Sequence, residues 1–330
     1  MTFRPIRGLA LSALVVTLVA ACGSGDPEGS SAPPAEPGAP EVTDLTVGVL
    51  PLADLAPLYL AIEEGYFEDE GITVEPAVAS GGAAQIAGMI AGDIDLTYSN
   101  YVSIVEAAEQ GLPLRIVREN NRSGPQGIYA AADSGITRPA DLAGQRIAIN
   151  SLGNIQELTA RAVLDSHGVD PDSLEFVELP PSDMPAALAE GAVDAAWLVE
   201  PFLTLVEQRG EAARIVSAFE GPTEDLPVAG WTATQQFVEQ NPNTVAAFVR
   251  AMDQAMQLAA DEPERLAGII PTYTELSPEL AGQLSTPGLA VTSDLSDLGT
   301  LTDLMVEHGV IEESPELDGL VVEADELPQE

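Results

Sequence analysis

The chain has 330 residues, 45% of them hydrophobic, and a mean hydropathy of +0.13. That is enough apolar material for two globular lobes or one large α/β domain, and too much for a disordered chain. Twelve basic residues, all of them arginine, oppose 53 acidic ones for a net charge of −41, a field that repels phosphate backbones and excludes nucleic acid as a partner.

The first 21 residues read as a lipoprotein signal peptide. Arg4 and Arg7 supply positive charge, and Gly8 to Ala21 is an apolar stretch too short for the roughly 20 residues that cross a bilayer. Val19-Ala20-Ala21-Cys22 has the form of a lipobox, with Cys22 as the lipidated residue. Cys22 is also the only cysteine, so no intrachain disulfide and no cysteine metal cluster can form. Residues 22–43 are dominated by Gly, Ser, Pro and acid and have little to bury. About 20 such residues form a flexible tether with a reach of roughly 25 Å. This places a body just outside a cell membrane, lipid-anchored on its extracytoplasmic face.

The body reads as alternating strands and helices. Leu45–Pro51 is a buried strand, and Ala53–Glu64 a helix with Leu55, Leu58, Tyr59 and Ile62 at helical spacing, stopped by Gly65. Thr73–Val78 is a strand, Gly81-Gly82 opens a helix to about Ala91, and Ile94–Thr97 is a strand. Val102–Glu109 is helical, and Leu114–Val117 a strand. The pattern repeats: strand Gly127–Ala132, short helix Pro139–Leu142, strand Arg146–Asn150, helix Ile155–His167, strand Leu174–Leu179, helix Met184–Glu190, strand Val193–Val199. Such alternation implies mostly parallel sheets flanked by helices. Beyond Gly230, Asn241-Pro242 starts a helix whose stripe of Val245, Phe248, Val249, Met252 and Met256 reads as core.

One echo runs between the halves. Ile90-Ala91-Gly92-Asp93-Ile94-Asp95-Leu96 parallels Leu188 to Ala195: a helix end, a Gly, then a β-branched residue, Asp and a strand. Asp95 and Asp194 read as residues that orient the turn rather than ligand contacts.

Four stretches carry a resemblance to a known family. They are Ala56-Pro57-Leu58-Tyr59-Leu60-Ala61 with Gly65-Tyr66-Phe67 and Glu70-Gly71-Ile72; Ser80-Gly81-Gly82 ending at Gly92-Asp93-Ile94-Asp95; Asp141 to Ala148; and Leu188 to Asp194 ending in Glu200-Pro201-Phe202. In this order the chain resembles the solute-binding proteins of the nitrate/sulfonate/taurine importer class and their thiamine-pyrimidine-precursor relatives, from about Leu45 to Val322. The resemblance implies a two-lobed periplasmic-binding-protein-like fold (type II) with two hinge crossovers, near Gly127–Ala132 and Val228–Thr234. The implied domains are 44–126 plus 228–330 for one lobe and 127–227 for the other. It also implies a monomer that binds a small solute in the interlobe cleft, closes on it and delivers it to the permease of an ABC importer. No cofactor or metal is called for. Many relatives carry Trp directly before the acidic residue and Pro; here Leu198-Val199 separates Trp197 from Glu200.

Ligands of parallel α/β sheets sit at the carboxyl ends of strands. That selects as candidate contacts Asp54, Ser80, Gly81, Gly82, Tyr98, Asn100, Tyr101, Asn121, Arg122, Ser151, Asn154, Trp197, Glu200 and Trp231. Ser80-Gly81-Gly82 leaves N–H groups open at a helix start, as an anion cradle or an ordinary cap. The aromatic residues could stack on a flat ligand or belong to the core. Glu200 suits an amino or ring-nitrogen donor. Arg122 could pair with an acid group or be a surface charge at the hinge. The cargo is expected to be organic and nitrogen- or sulfonate-bearing. A pyrimidine-synthase-like enzyme on the same fold is the rival reading, but its cysteine-rich motif is missing. His167 and His308 each precede a Gly at an expected helix end, which suits the helix dipole rather than base catalysis. A tethered scaffold or adhesin is the third reading.

Overall fold

The computed structural model describes residues 38–79, 81–317, 319–323 and 325–328. The stretch read as a signal peptide, Cys22, most of the expected tether and Ser80 lie outside the described residues. Ten strands are described: β1 (Asp44–Val49), β2 (Thr73–Val78), β3 (Leu96–Asn100), β4 (Leu114–Arg122), β5 (Gly127–Ala131), β6 (Arg146–Ile149), β7 (Glu175–Glu178), β8 (Ala195–Leu198), β9 (Ala212–Ser217) and β10 (Pro227–Thr234). They form two five-stranded sheets, ordered β2-β1-β3-β10-β4 and β7-β6-β8-β5-β9. In each, three strands run parallel and the fourth in order is antiparallel to both its neighbours. The chain crosses between the sheets twice, through residues 123–126 and 218–226. This is the two-lobed α/β architecture expected from the sequence. The stretches foreseen as hinges are themselves the antiparallel strands β5 and β10, and the crossings precede them.

The echo has a physical basis. Asp95 Oδ2 accepts from Thr46 N at 2.8 Å while Asp95 N donates to Thr46 O at 2.9 Å. Asp194 repeats this with Arg146, at 2.9 Å for both bonds. Each carboxylate joins the entrance of the third strand in its sheet's order to its parallel neighbour, β3 to β1 and β8 to β6.

Helices cover both sheets. Ala56–Glu64 packs against the 20-residue helix Pro242–Asp261, whose Val245, Phe248, Met252 and Met256 are buried. The stripe is core, as its spacing predicts. The helices Tyr101–Glu109 and Ile155–Ser166 meet where the lobes touch, and Leu298–Glu307 packs against both. His167 and His308 stand at helix C-termini as expected, and His167 Nε2 lies 2.8 Å from Glu220 Oε1. Gly230 permits the close approach of β10 to β4: a Cβ there would strike Tyr101 Oη and lie 2.6 Å from Arg118 O.

Candidate functional site: the interlobe cleft

The carboxyl ends of β1, β3, β4, β6 and β8 converge on one buried cavity of about 50 Å³. From the first sheet come Leu50, Leu52 and Asp54 after β1, Ser99 and Asn100 of β3, Asn121 of β4, and Val228 and Ala229 at the start of β10. From the second come Asn150, Asn154 and Gln156 after β6, and Trp197 and Val199 of β8 and its continuation. Gln126 enters from the first crossing segment.

The polar walls are built from local rules. Asn100 caps the helix Tyr101–Glu109, accepting from Ser103 N at 3.0 Å; it also accepts from Ile155 N across the lobe junction at 3.3 Å. Asn154 caps Ile155–Ser166 by accepting from Gln156 N and Glu157 N. Gly82 brings its helix start against β3, where a Cβ would lie 2.7 Å from Ser99 Oγ. Beneath them runs a buried chain. Trp231 Nε1 donates to Asn120 Oδ1 at 3.0 Å, Asn120 Nδ2 to Asp54 O at 2.9 Å, and Tyr98 Oη to Asn121 Oδ1 at 2.9 Å. Trp197 is held by its Nε1 donation to Thr159 Oγ1 at 3.1 Å.

Asp54 is the acidic group of the cavity lining. Its carboxyl receives a long hydrogen bond of 3.5 Å from Asn121 Nδ2. Burial, and then the nearby Glu200 charge, push it up to about 7. Burial likewise holds Tyr98 well above the usual tyrosine range. Two further polar atoms of the lining, Ser99 Oγ and Gln126 Oε1, are buried without a partner. No arginine or histidine lines the cavity among the described residues.

Of the residues singled out in the sequence, Asp54, Gly82, Tyr98, Asn100, Asn121, Asn154 and Trp197 meet around this cavity. Gly81 and Ser151 stand outside it, on an adjoining groove with Glu178 and Pro180. Tyr101 and Trp231 are fully buried in the core and not in the lining. Arg122 binds Asp225 O, Asp294 O, Glu119 and Asp297, away from the cleft. Glu200 turns from the cavity to accept from Thr204 Oγ1 and Ser285 N, both at 2.8 Å, while its carbonyl accepts from Ala53 N at 3.3 Å. Sequence reasoning missed Gln126 and Gln156, and it took in Ser99 only as part of the loop Tyr98–Tyr101. Gln126 belongs to a crossing segment without periodicity, and only the position just ahead of β5 points to it.

A buried cleft at the strand ends between two α/β lobes defines the periplasmic-binding-protein fold. Solved structures agree. The alkanesulfonate-binding protein SsuA from Xanthomonas axonopodis pv. citri superposes with a TM-score of 0.74 at 18% identity, covering 86% of this chain and 99% of that one. The desulfurization enzyme DSZB reaches 0.62 at 20% identity, covering 86% and 97%. By sequence, the chain belongs to the NMT1/THI5-like family, which it matches over residues 53–266. A putative aliphatic sulfonates-binding protein of Bacillus subtilis (strain 168) is 25% identical over 256 residues, 76% of this chain and 73% of that protein. The taurine-binding periplasmic protein of Escherichia coli (strain K12) is 25% identical over 202 residues, 60% and 61% of the two chains.

Proposed function

We propose that this chain is the extracytoplasmic solute-binding component of an ABC importer. It captures a small organic solute between lobes 44–126 plus 228–330 and 127–227, and performs no chemistry on it. The observation that carries this reading is the buried cavity walled by strand ends of both sheets. A solute held there touches both lobes and therefore binds the closed form better than the open one. The relatives named as binding proteins support the same reading.

The deciding experiment is thermal unfolding of the protein against taurine, alkanesulfonates, nitrate, simple amines and aminopyrimidines, with mass spectrometry of the recovered solute. A solute at about 1,000 times its Kd adds roughly 4 kcal/mol. This is a rise of several degrees for at least one compound, which is recovered unchanged. Recovery of a converted product would establish the enzyme instead, and a flat response across the panel would favour the scaffold. Anchoring through Cys22 is part of the proposal: Cys22→Ser is expected to move the protein from the membrane to the soluble fraction, and unchanged partitioning would remove the anchor from the reading.

A further inference from the structure

The charge of the cleft differs from what a sulfonate or nitrate requires. The chain has no lysine. Of its ten arginines in the described residues, nine are already paired with carboxylates outside the cavity lining: Arg115, Arg118, Arg122, Arg138, Arg146, Arg161, Arg209, Arg250 and Arg265. The tenth, Arg214, packs beside Gly127 on the far side of β5 from β8 and is not in the lining. An anion in the cavity would meet hydroxyls, neutral amides and the starts of the helices Gly82–Ala91 and Ile155–Ser166, but no cationic side chain, and it would lie beside the carboxyl of Asp54. The groups left without partners point the other way. Gln126 Oε1 is a buried acceptor with nothing to accept, and Asp54 is a buried acid whose carboxyl receives its own backbone N–H and a long hydrogen bond from Asn121 Nδ2. The charged or polar groups facing Asp54 are Glu200, Tyr98, Tyr273, Asn120 and Asn121, none of them a cation.

A second cavity adjoins the first. Leu50 and Leu52 line both, and beyond them a groove of about 260 Å³ is walled by Val78, Pro180, Pro181 and Phe202. Val78 is 67% exposed there, one of three large apolar side chains left open among the described residues. The first cavity is too small for more than a compact head group, since drug-sized ligands occupy roughly 300–1,000 Å³. The groove is where a short carbon chain would go.

We infer that the solute is an organic cation: a protonated nitrogen head that pairs with Asp54 and donates to Gln126 Oε1, on a short apolar chain running past Leu50 and Leu52 towards Val78 and Phe202. This deepens the solute-binding reading and rests on it. A cation restores to Asp54 the charged form that burial disfavours, and it satisfies an acceptor that is otherwise left buried and unmade.

Titration calorimetry of the full-length protein in detergent, with butylamine, methylamine, butanesulfonate and nitrate as probes at pH 7.5, tests this. Butylamine is expected to bind, methylamine several-fold more weakly, and Asp54→Asn to weaken butylamine by about tenfold or more while the near-UV circular dichroism stays native. Butanesulfonate or nitrate binding as tightly as butylamine overturns the cation proposal and leaves the solute-binding reading standing. Butylamine binding that Asp54→Asn leaves unchanged does the same. Binding by none of the four overturns the cation proposal, and the wider thermal panel then decides the solute-binding reading by itself. Should Asp54→Asn fail to fold, the comparison of amine with sulfonate on the unaltered protein decides alone.

Discussion

The sheets β2-β1-β3-β10-β4 and β7-β6-β8-β5-β9 set equivalent strands in equivalent places, and Asp95 and Asp194 tie the second and third strands of each with the same pair of hydrogen bonds. At the cleft the equivalence ends. The first sheet contributes the acid Asp54 over a buried chain of Tyr98, Asn121, Asn120 and Trp231. The second contributes neutral amides and an indole. Scaffold geometry is thus repeated while site chemistry is confined to one side, because a strand's pairing constrains its backbone and leaves its terminal side chains free to diverge.

The two tryptophans offer the largest test of this division. Trp231→Ala empties a fully buried position and is expected to cost about 3–5 kcal/mol, read as a lower urea midpoint at unchanged slope. Trp197→Ala also loses a buried ring, but one in the cavity wall, so it should in addition change solute affinity. If both variants changed affinity alike, the separation of core from site would fail.

Next come the paired aspartates. Asp95→Ala and Asp194→Ala each leave a backbone N–H short of its acceptor, at a cost of about 1–3 kcal/mol. Asp194 also pairs with Arg146 at 2.9 Å on a part-exposed surface, which adds under about 1 kcal/mol. Matched denaturation midpoints would sharpen the repeat, and a loss confined to one lobe would break it.

The smallest effect lies where the halves touch. Burial, then the charges of Glu157 and Glu109, raise Glu106 to about 7; Glu157 lies on the helix Ile155–Ser166 of the other half. A carboxyl with its folded value raised above the ordinary one gives stability that is present at acid pH and lost as pH climbs through about 7. Glu106→Gln should therefore gain stability at pH 8 and gain nothing near pH 4. Solvent screening of this half-buried group limits the gain to about 1 kcal/mol, a Tm rise of about 2–4 °C. A gain of equal size at both pH values would assign the effect to packing.

Strand and helix periodicity made most of the first two-thirds of the chain legible, and the Gly-to-Asp echo exposed the duplicated sheet. Polar strand was the main blind spot. β4 was readable as far as Val117, with Asn120–Arg122 read as loop, yet the strand continues against β10 and buries Arg118, Asn120 and Asn121, which bond Asp253, Trp231 and Tyr98. Periodicity sees apolar faces, and these residues are inside because each finds a partner. The same limit hid the direction of Glu200, whose place after a strand pointed to a ligand and whose carboxylate instead reaches Ser285.

That reach governs time rather than affinity alone. Ser285 follows the helix Pro278–Ala281, which packs with Leu60 and Ala259 of the first lobe's helices, while Glu200 ends β8 of the second sheet. Their hydrogen bond, and the one from Ala53 N to Glu200 O, tie the two walls to each other. On the proposed reading they would act as a clasp, and its release rate would help set how long a bound molecule stays, through residues that never touch it.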